Sequence, residues 1–346
     1  MLKKKILVAA VAVSTVILTG CGPVKVADTT PTPVPEAEFA PTSEELKAQM
    51  KGSGSKIVLS AVEYSDSAAK SFAPGVYDDF SQRLLKSGNT LVDRTLAAKL
   101  EDELRAAEVS GKFQTSGPAD ADIAIMTKIS DLSLKHSFTK EYVWVDEDGE
   151  RHKRDSYCRF TSGAKLFVRA YKIPSMDLVN TYDYEGSATM TSETGNSNCP
   201  INDATASSLV NEALEDAVKS GSGETLNDLA PEAYVLERRD NEDASKALFR
   251  VTIAKKSGAV EGAKVKFYRK TRTITPITNE ERMGRMLLGE GEISGEGIDT
   301  SGSYVYVKDK ELIQDIKIGD IAKLDHGKCD VDETEVLGSC IKIPGL

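Results

Sequence analysis

Few side chains in these 346 residues have the types and spacing that chemistry requires. The three histidines, His136, His152 and His326, are too scattered for most zinc-site or triad arrangements. Asp146-Glu147-Asp148-Gly149-Glu150 has the carboxylate density of a calcium-loop fragment, but no ligand stands at the far end of a twelve-residue loop. A solvated hairpin tip is the expectation there, and Asp330, Asp332 and Glu333 beside Cys329 read as a charged loop closed by a disulfide. Gly289-Glu290-Gly291 with Gly295 and Gly297 is not G-x-G-x-x-G, and no helix follows to receive a phosphate. Lys56 after Gly52-Ser53-Gly54-Ser55 does not complete a Walker loop, and neither G-x-S-x-G nor H-E-x-x-H occurs. Asp78 and Asp79 fall in an early helix turn, where complementing the dipole is reason enough. The expectation is a protein that is not an enzyme, with no catalytic residues, no cofactor and no metal. A net charge of −10 and a pI near 5.1 also argue against a nucleic-acid partner, which needs a basic face.

The one residue with a definite chemical expectation is Cys21. Lys3, Lys4 and Lys5 precede an apolar run from Ile6 to Leu18, too short to span a bilayer and built like a secretory signal. The run ends in Leu18-Thr19-Gly20-Cys21, which resembles the lipobox of bacterial lipoproteins. That resemblance implies cleavage after Gly20 and acylation of Cys21. Two or more acyl chains anchor a protein stably, whereas one binds marginally. Loss of three lysines takes the mature charge to −13. Gly22 in place of Asp implies, by the enteric pattern, passage to the outer membrane, with the body facing the periplasm. The remaining cysteines, Cys158, Cys199, Cys329 and Cys340, allow three pairings, and an oxidising periplasm suits disulfides. Proximity favours Cys158–Cys199 and Cys329–Cys340.

The elements that would carry these residues divide the chain into a signal peptide (1–20), a Pro/Gly/Ser-rich tether (21–55), an α/β domain (56–225), a charged connector (226–245) and a β domain (246–346). In the tether a short helix is expected at Ser43–Lys51. Lys56–Tyr64 reads as a buried strand. Val76, Phe80 and Leu84 recur every four residues before Gly88, predicting a helix. Asp93 caps a second helix carrying Leu96, Leu100 and Leu104. Alternating strands follow at Ile123–Ile129, Ala164–Ala170 and Leu178–Thr189, then a helix through Val210, Leu214 and Val218 ending at Gly221. Asp148-Gly149 signals a two-residue hairpin turn, with Tyr142 and Trp144 on one face of the hairpin. Connector residues Ala233–Glu237 can form a short strand. Five short strands after residue 246 predict a small barrel. The fold class is α+β: a mixed, largely antiparallel sheet with helices on one face, followed by the barrel.

Three stretches, Lys86–Arg94, the helix through Leu104–Glu108 and Ala119–Ile125, resemble the periplasmic α/β domain of the CsgG-like family. That domain is shared by the curli secretion lipoprotein, the lipoprotein activators of penicillin-binding proteins and the flagellar H-ring (FlgT-like) proteins. Ser257–Val265, Gly289–Ile293 and Ile318–Ala322 are similar to the SH3-like barrel that ends FlgT-like proteins. The resemblance implies a non-enzymatic envelope lipoprotein that acts as an assembly or scaffold subunit, with flagellar ring subunits among its partners and ring-like self-association. The alternatives are a tethered activator of a peptidoglycan synthase and a curli-like secretion component. The last is weakened by the charged hairpin tip and the polar Thr181–Asn198, which do not suit strands crossing a membrane. Tyr142, Trp144, Asp148 and Gly149 are the expected interface residues, along with the barrel loops.

Overall fold

The computed structural model describes residues 24–51, 55–92, 121–173, 175, 177–276, 279–327, 333–336 and 339–342. The signal peptide, Cys21 and the helix expected after Asp93 lie outside them. The fold is α+β, mostly strand, in two packed regions.

The first region is a sheet in the order β4-β2-β5-β8-β9. Short β2 (Lys56–Leu59) lies parallel to β4 (Thr90–Leu91) and to β5 (Ile123–Thr139). The strand expected over Lys56–Tyr64 is therefore split, with β3 (Glu63–Tyr64) pairing separately with β5 at Lys128 and Ile129. β5 runs antiparallel to β8 (Tyr157–Lys172), and β8 to β9 (Leu178–Glu193). Two long helices close the core. α1 (Ser43–Lys51) lies apart, in the N-terminal segment. α2 (Ala73–Lys86) buries Val76, Phe80 and Leu84, as their spacing predicts. Asn202 accepts the Thr205 N–H (2.8 Å) to cap α3 (Asp203–Leu229). Phe80 meets Tyr184 edge-on, with ring centroids 5.9 Å apart.

Helix α3 continues past Gly221, the expected stop, to Leu229. Gly221 serves packing instead of termination: a Cβ there would sit 2.3 Å from the Tyr184 ring. Gly186 in β9 allows the matching approach, since its Cβ would lie 2.2 Å from the Ala217 backbone nitrogen.

The second region is a closed antiparallel barrel of six strands. They are β10 (Ala233–Asp240), β11 (Ala247–Val251), β12 (Lys264–Ile274), β13 (Glu281–Ile293), β14 (Ser303–Val307) and β15 (Ile321–Asp325). Closure comes from β10, which pairs with β11 on one side and with β15 on the other. The stretch read as a connector thus supplies a barrel strand, and the count is six where five were expected. Phe249, Phe267, Val251, Val265, Val305 and Ile313 fill the interior. α4 (Lys310–Asp315) begins at Asp309, whose carboxylate accepts the Glu311 and Leu312 N–H groups. A terminal hairpin, β16 (Glu333–Val336) and β17 (Ser339–Lys342), forms a separate pair.

The described part of the tether does not hang free. β1 (Thr30–Thr32) adds to the barrel as an antiparallel neighbour of β10. Pro31 is admissible there because an edge strand need not donate from every residue. The Arg239 guanidinium holds the Thr29 carbonyl (2.9 Å), Ala37 N–H donates to the Ile318 carbonyl (2.8 Å), and Ile318 N–H donates to that of Pro35 (3.2 Å). At α1, Thr42 and Glu45 exchange hydrogen bonds as a capping box.

Candidate interaction surface on the long hairpin

β5 and β8 are the long strands of the sheet, and the first turns of α3 reach their far end through Leu209. At about 3.3 Å per residue, each is over 50 Å long. A bulge between Ile129 and Asp131 marks the change: before it β5 is flanked by β2 or β3 and by β8, after it by β8 alone among the described residues. The far end is braced by the Cys158–Cys199 disulfide, with Cα atoms 5.5 Å apart, packed with Phe160 and Leu209. This is one of the two pairings that proximity favoured. The other falls on Cys329, outside the described residues, and on Cys340, whose side chain is not described.

Beyond Thr139 the hairpin continues as β6 (Tyr142–Val145) and β7 (Arg151–Arg154), with Val145 opposite Arg151. The connection is Asp146–Glu150, longer than the two-residue turn expected from Asp148-Gly149. Asp146 organises it: its Oδ1 accepts the Asp148 N–H (3.1 Å) and the Glu150 N–H (2.9 Å), while Gly149 takes φ +83°. Those bonds absorb the extra residues and leave glycine at the one left-handed position.

The tip presents four consecutive apolar or aromatic side chains to solvent: Tyr142, Val143, Trp144 and Val145, 42–62% exposed. Tyr142 lies 5.5 Å from Trp144 by ring centroid, and Trp144 stacks on His152 at 5.1 Å. The facing strand is cationic. Lys153 binds Glu141 (3.2 Å) and Asp155 (3.0 Å), and the Arg154 guanidinium lies 4.5 Å from the Tyr157 ring centroid. His152 Nε2 is 2.6 Å from Asp146 Oδ2. This bond, followed by the Glu150 and other backbone donors, holds the Asp146 carboxyl below its ordinary range.

One grouping escaped sequence reasoning. Asp146, Glu150 and His152 bring donor atoms within 4.8 Å of one another. His152 lies outside the acidic run, and only cross-strand pairing with Trp144 brings it back; the alternation of β6 and β7 was the available signal. Two carboxylates and an imidazole are a donor set used for divalent metals. Here the bonds inside the turn already account for the geometry.

Elsewhere the titratable groups have structural settings. Burial, then Asp228, raises the Tyr182 hydroxyl, and burial raises Tyr184. Asp79 is raised by burial and by Glu215. A crevice lined by Gln49, Ala230, Thr252 and Leu324, among others, has no titratable side chain in its wall. Among the described residues no helix is long and apolar enough to cross a membrane, which says nothing of strands.

No family model matches the chain, and no curated protein matches it. Several solved structures are similar to part of it. A neuraminyllactose-binding hemagglutinin homologue from Helicobacter pylori is 13% identical at a TM-score of 0.25, covering 48% of this chain and 84% of that one. The PelC dodecamer from Paraburkholderia phytofirmans is 10% identical at 0.21, covering 54% and 95%. Lipoprotein GNA1162 from Neisseria meningitidis is 11% identical at 0.20, covering 45% and 92%. Scores this low name neither a family nor a function for the chain.

Proposed function

We propose that this protein is a non-enzymatic scaffold subunit of the cell envelope, held by acyl chains on Cys21 at the periplasmic face of the outer membrane. The observation that carries the reading is the tip hairpin. It sets an unbroken exposed run, Tyr142 to Val145, beyond the disulfide-braced end of β8. Aromatic side chains beside arginine are the residue types that anchor protein interfaces. The machine served is the one named by the sequence resemblance, a flagellar basal-body ring. The tethered-activator alternative loses its main support, because it relied on a long free tether and residues 30–37 are docked on the barrel.

The test is a pull-down from gently solubilised envelopes, comparing the native chain with a Tyr142→Ala/Trp144→Ala variant. Both side chains are exposed, so the variant should keep its melting temperature while losing its partners. Flagellar ring components bound only by the native chain would support the reading. Equal recovery by both forms, or a penicillin-binding protein alone, would overturn it.

A further inference from the structure

Alternation along β6 and β7 sorts the tip side chains by face. Trp144 faces His152 and Val145 faces Arg151. The ladder runs one pair further, because Asp146 N–H donates to the Glu150 carbonyl (3.0 Å). Trp144, Asp146, Glu150 and His152 therefore share one face. Arg151 and Lys153 fall on the other, and Arg154 is drawn to the Tyr157 ring. Donor atoms of Asp146, Glu150 and His152 lie within 4.8 Å of one another, and among the described residues no second group of three such donors forms. This is more than an acidic run, since the imidazole comes from β7 and only the strand register delivers it.

The turn is built without using the whole of Asp146. Its backbone bonds, from the Asp148 and Glu150 N–H groups, fall on Oδ1, whereas Oδ2 meets His152 Nε2 at 2.6 Å. The loop therefore has its shape before any ion arrives, and an ion need not fold it. The His152 ring is held as well, stacked on Trp144 with ring planes 24° apart. Two donors on one ion, each at about 2.0–2.2 Å, stand no more than about 4.4 Å apart. Reaching such spacing takes shifts of under about 1 Å, which exposed Glu150 and half-buried Asp146 and His152 can make.

The donor chemistry selects the ion. Calcium takes about 6–8 oxygen ligands, and this face offers two carboxylates and a nitrogen. Imidazole beside carboxylate suits first-row transition ions. A zinc-type ion held by three side chains keeps a further position for water or another ligand.

We propose that Asp146, Glu150 and His152 bind one divalent transition-metal ion of the zinc type, which inserts between the Asp146 carboxylate and the imidazole. The ion fastens the turn to β7 beside Trp144 and leaves a coordination position open to a ligand from outside the chain. Binding depends on neither lipid nor an envelope partner, so its fate is separate from that of the scaffold reading.

Trp144 is the single tryptophan of the chain, so its fluorescence reports on this face alone. The experiment titrates the full chain in mild detergent with Ni²⁺, a paramagnetic quencher, and measures Zn²⁺ binding by calorimetry. The expected result is saturable quenching that Zn²⁺ reverses and that Ca²⁺ and Mg²⁺ do not produce. Asp146→Asn keeps an oxygen for the turn's N–H groups while putting an amide nitrogen in place of the second carboxylate oxygen. That variant and His152→Gln should each weaken Zn²⁺ binding by at least about tenfold, since outer-shell changes alone cost about 10–100-fold. His136→Gln, which removes the exposed imidazole of β5, should leave binding unchanged. Zn²⁺ binding undiminished in either tip variant would overturn the proposal. So would its loss in His136→Gln, equal binding of Ca²⁺, or no saturable binding by the native chain.

Discussion

In the barrel, every strand from β10 to β15 has a neighbour on both sides. In the first sheet, β9 is covered by side chains of α3, and β5 leaves its last nine residues open among the described residues. Closure removes the edges through which strands recruit other chains, whereas an open sheet keeps them available. The contrast teaches how one chain separates duties. Its closed region fixes position, receiving the N-terminal segment and the end of α3, and its open region carries the exposed arm. The two are joined tightly. A Cβ on Gly88 would lie 2.5 Å from the Ser257 backbone, and one on Gly223 would lie 2.6 Å from the His326 carbonyl.

The strongest way to break the contrast is to damage closure. The Arg238 guanidinium is buried in a two-point bond to Asp240 (2.7 and 2.9 Å) and donates to the Ile313 carbonyl (2.9 Å). Asp240→Ala strands that charge, and the expected loss is about 3–5 kcal/mol in urea denaturation. A loss under about 1 kcal/mol would show that closure does not rest on this pair. Next in size is the brace of the open region. Replacing Cys158 and Cys199 by serine should cost about 2–4 kcal/mol. Amide exchange should quicken in the outer halves of β5 and β8 while β10–β15 stay protected. Uniform quickening would mean that the regions unfold as one.

The smallest effect probes the junction. His326 N–H donates to Asn227 Oδ1 (2.6 Å), and Lys323 reaches the Asn227 carbonyl (3.0 Å). Burial pushes the His326 imidazole down to about 4, with Lys323 adding to the shift and Asp325 opposing it. The unfolded chain takes up this proton near pH 6.5, the folded chain only near 4. Stability from this group is therefore full above pH 6.5 and falls as pH drops toward 4, by up to about 3 kcal/mol. His326→Gln should flatten that part of the stability–pH curve, and an unchanged slope would assign the acid sensitivity elsewhere.

What was legible in the sequence follows from the range of the forces involved. The 3.6-residue pattern of Val76, Phe80 and Leu84 and the alternation of Ile123, Ile125 and Thr127 are local signals, and both elements form. Gly221 misled because the same residue that ends helices also permits close packing, and Tyr184 lies far away in sequence. β12 runs to Ile274, past the expected end at Arg269, through Lys270-Thr271-Arg272-Thr273, which has no apolar face to announce a strand. The docking of Thr30–Thr32 was hidden for a related reason: its partner is over two hundred residues away, and its composition suits an extended linker equally well. At the tip, the aromatic pair and the turn were readable, while the Asp146–His152 contact required the cross-strand register.

The docking of Thr30–Thr32 on β10 has a mechanical consequence. Val26 N–H already bonds to Glu296 (2.9 Å), so about five residues separate Cys21 from the folded body. Fully stretched, they span only about 17 Å. If Cys21 is acylated as proposed, that leash would be shorter than β5 or β8, so the body would not tumble freely and one flank of the barrel would stay turned to the bilayer. Neighbouring copies would then diffuse in two dimensions with a common tilt, which raises their effective concentration and lets weak contacts between them persist.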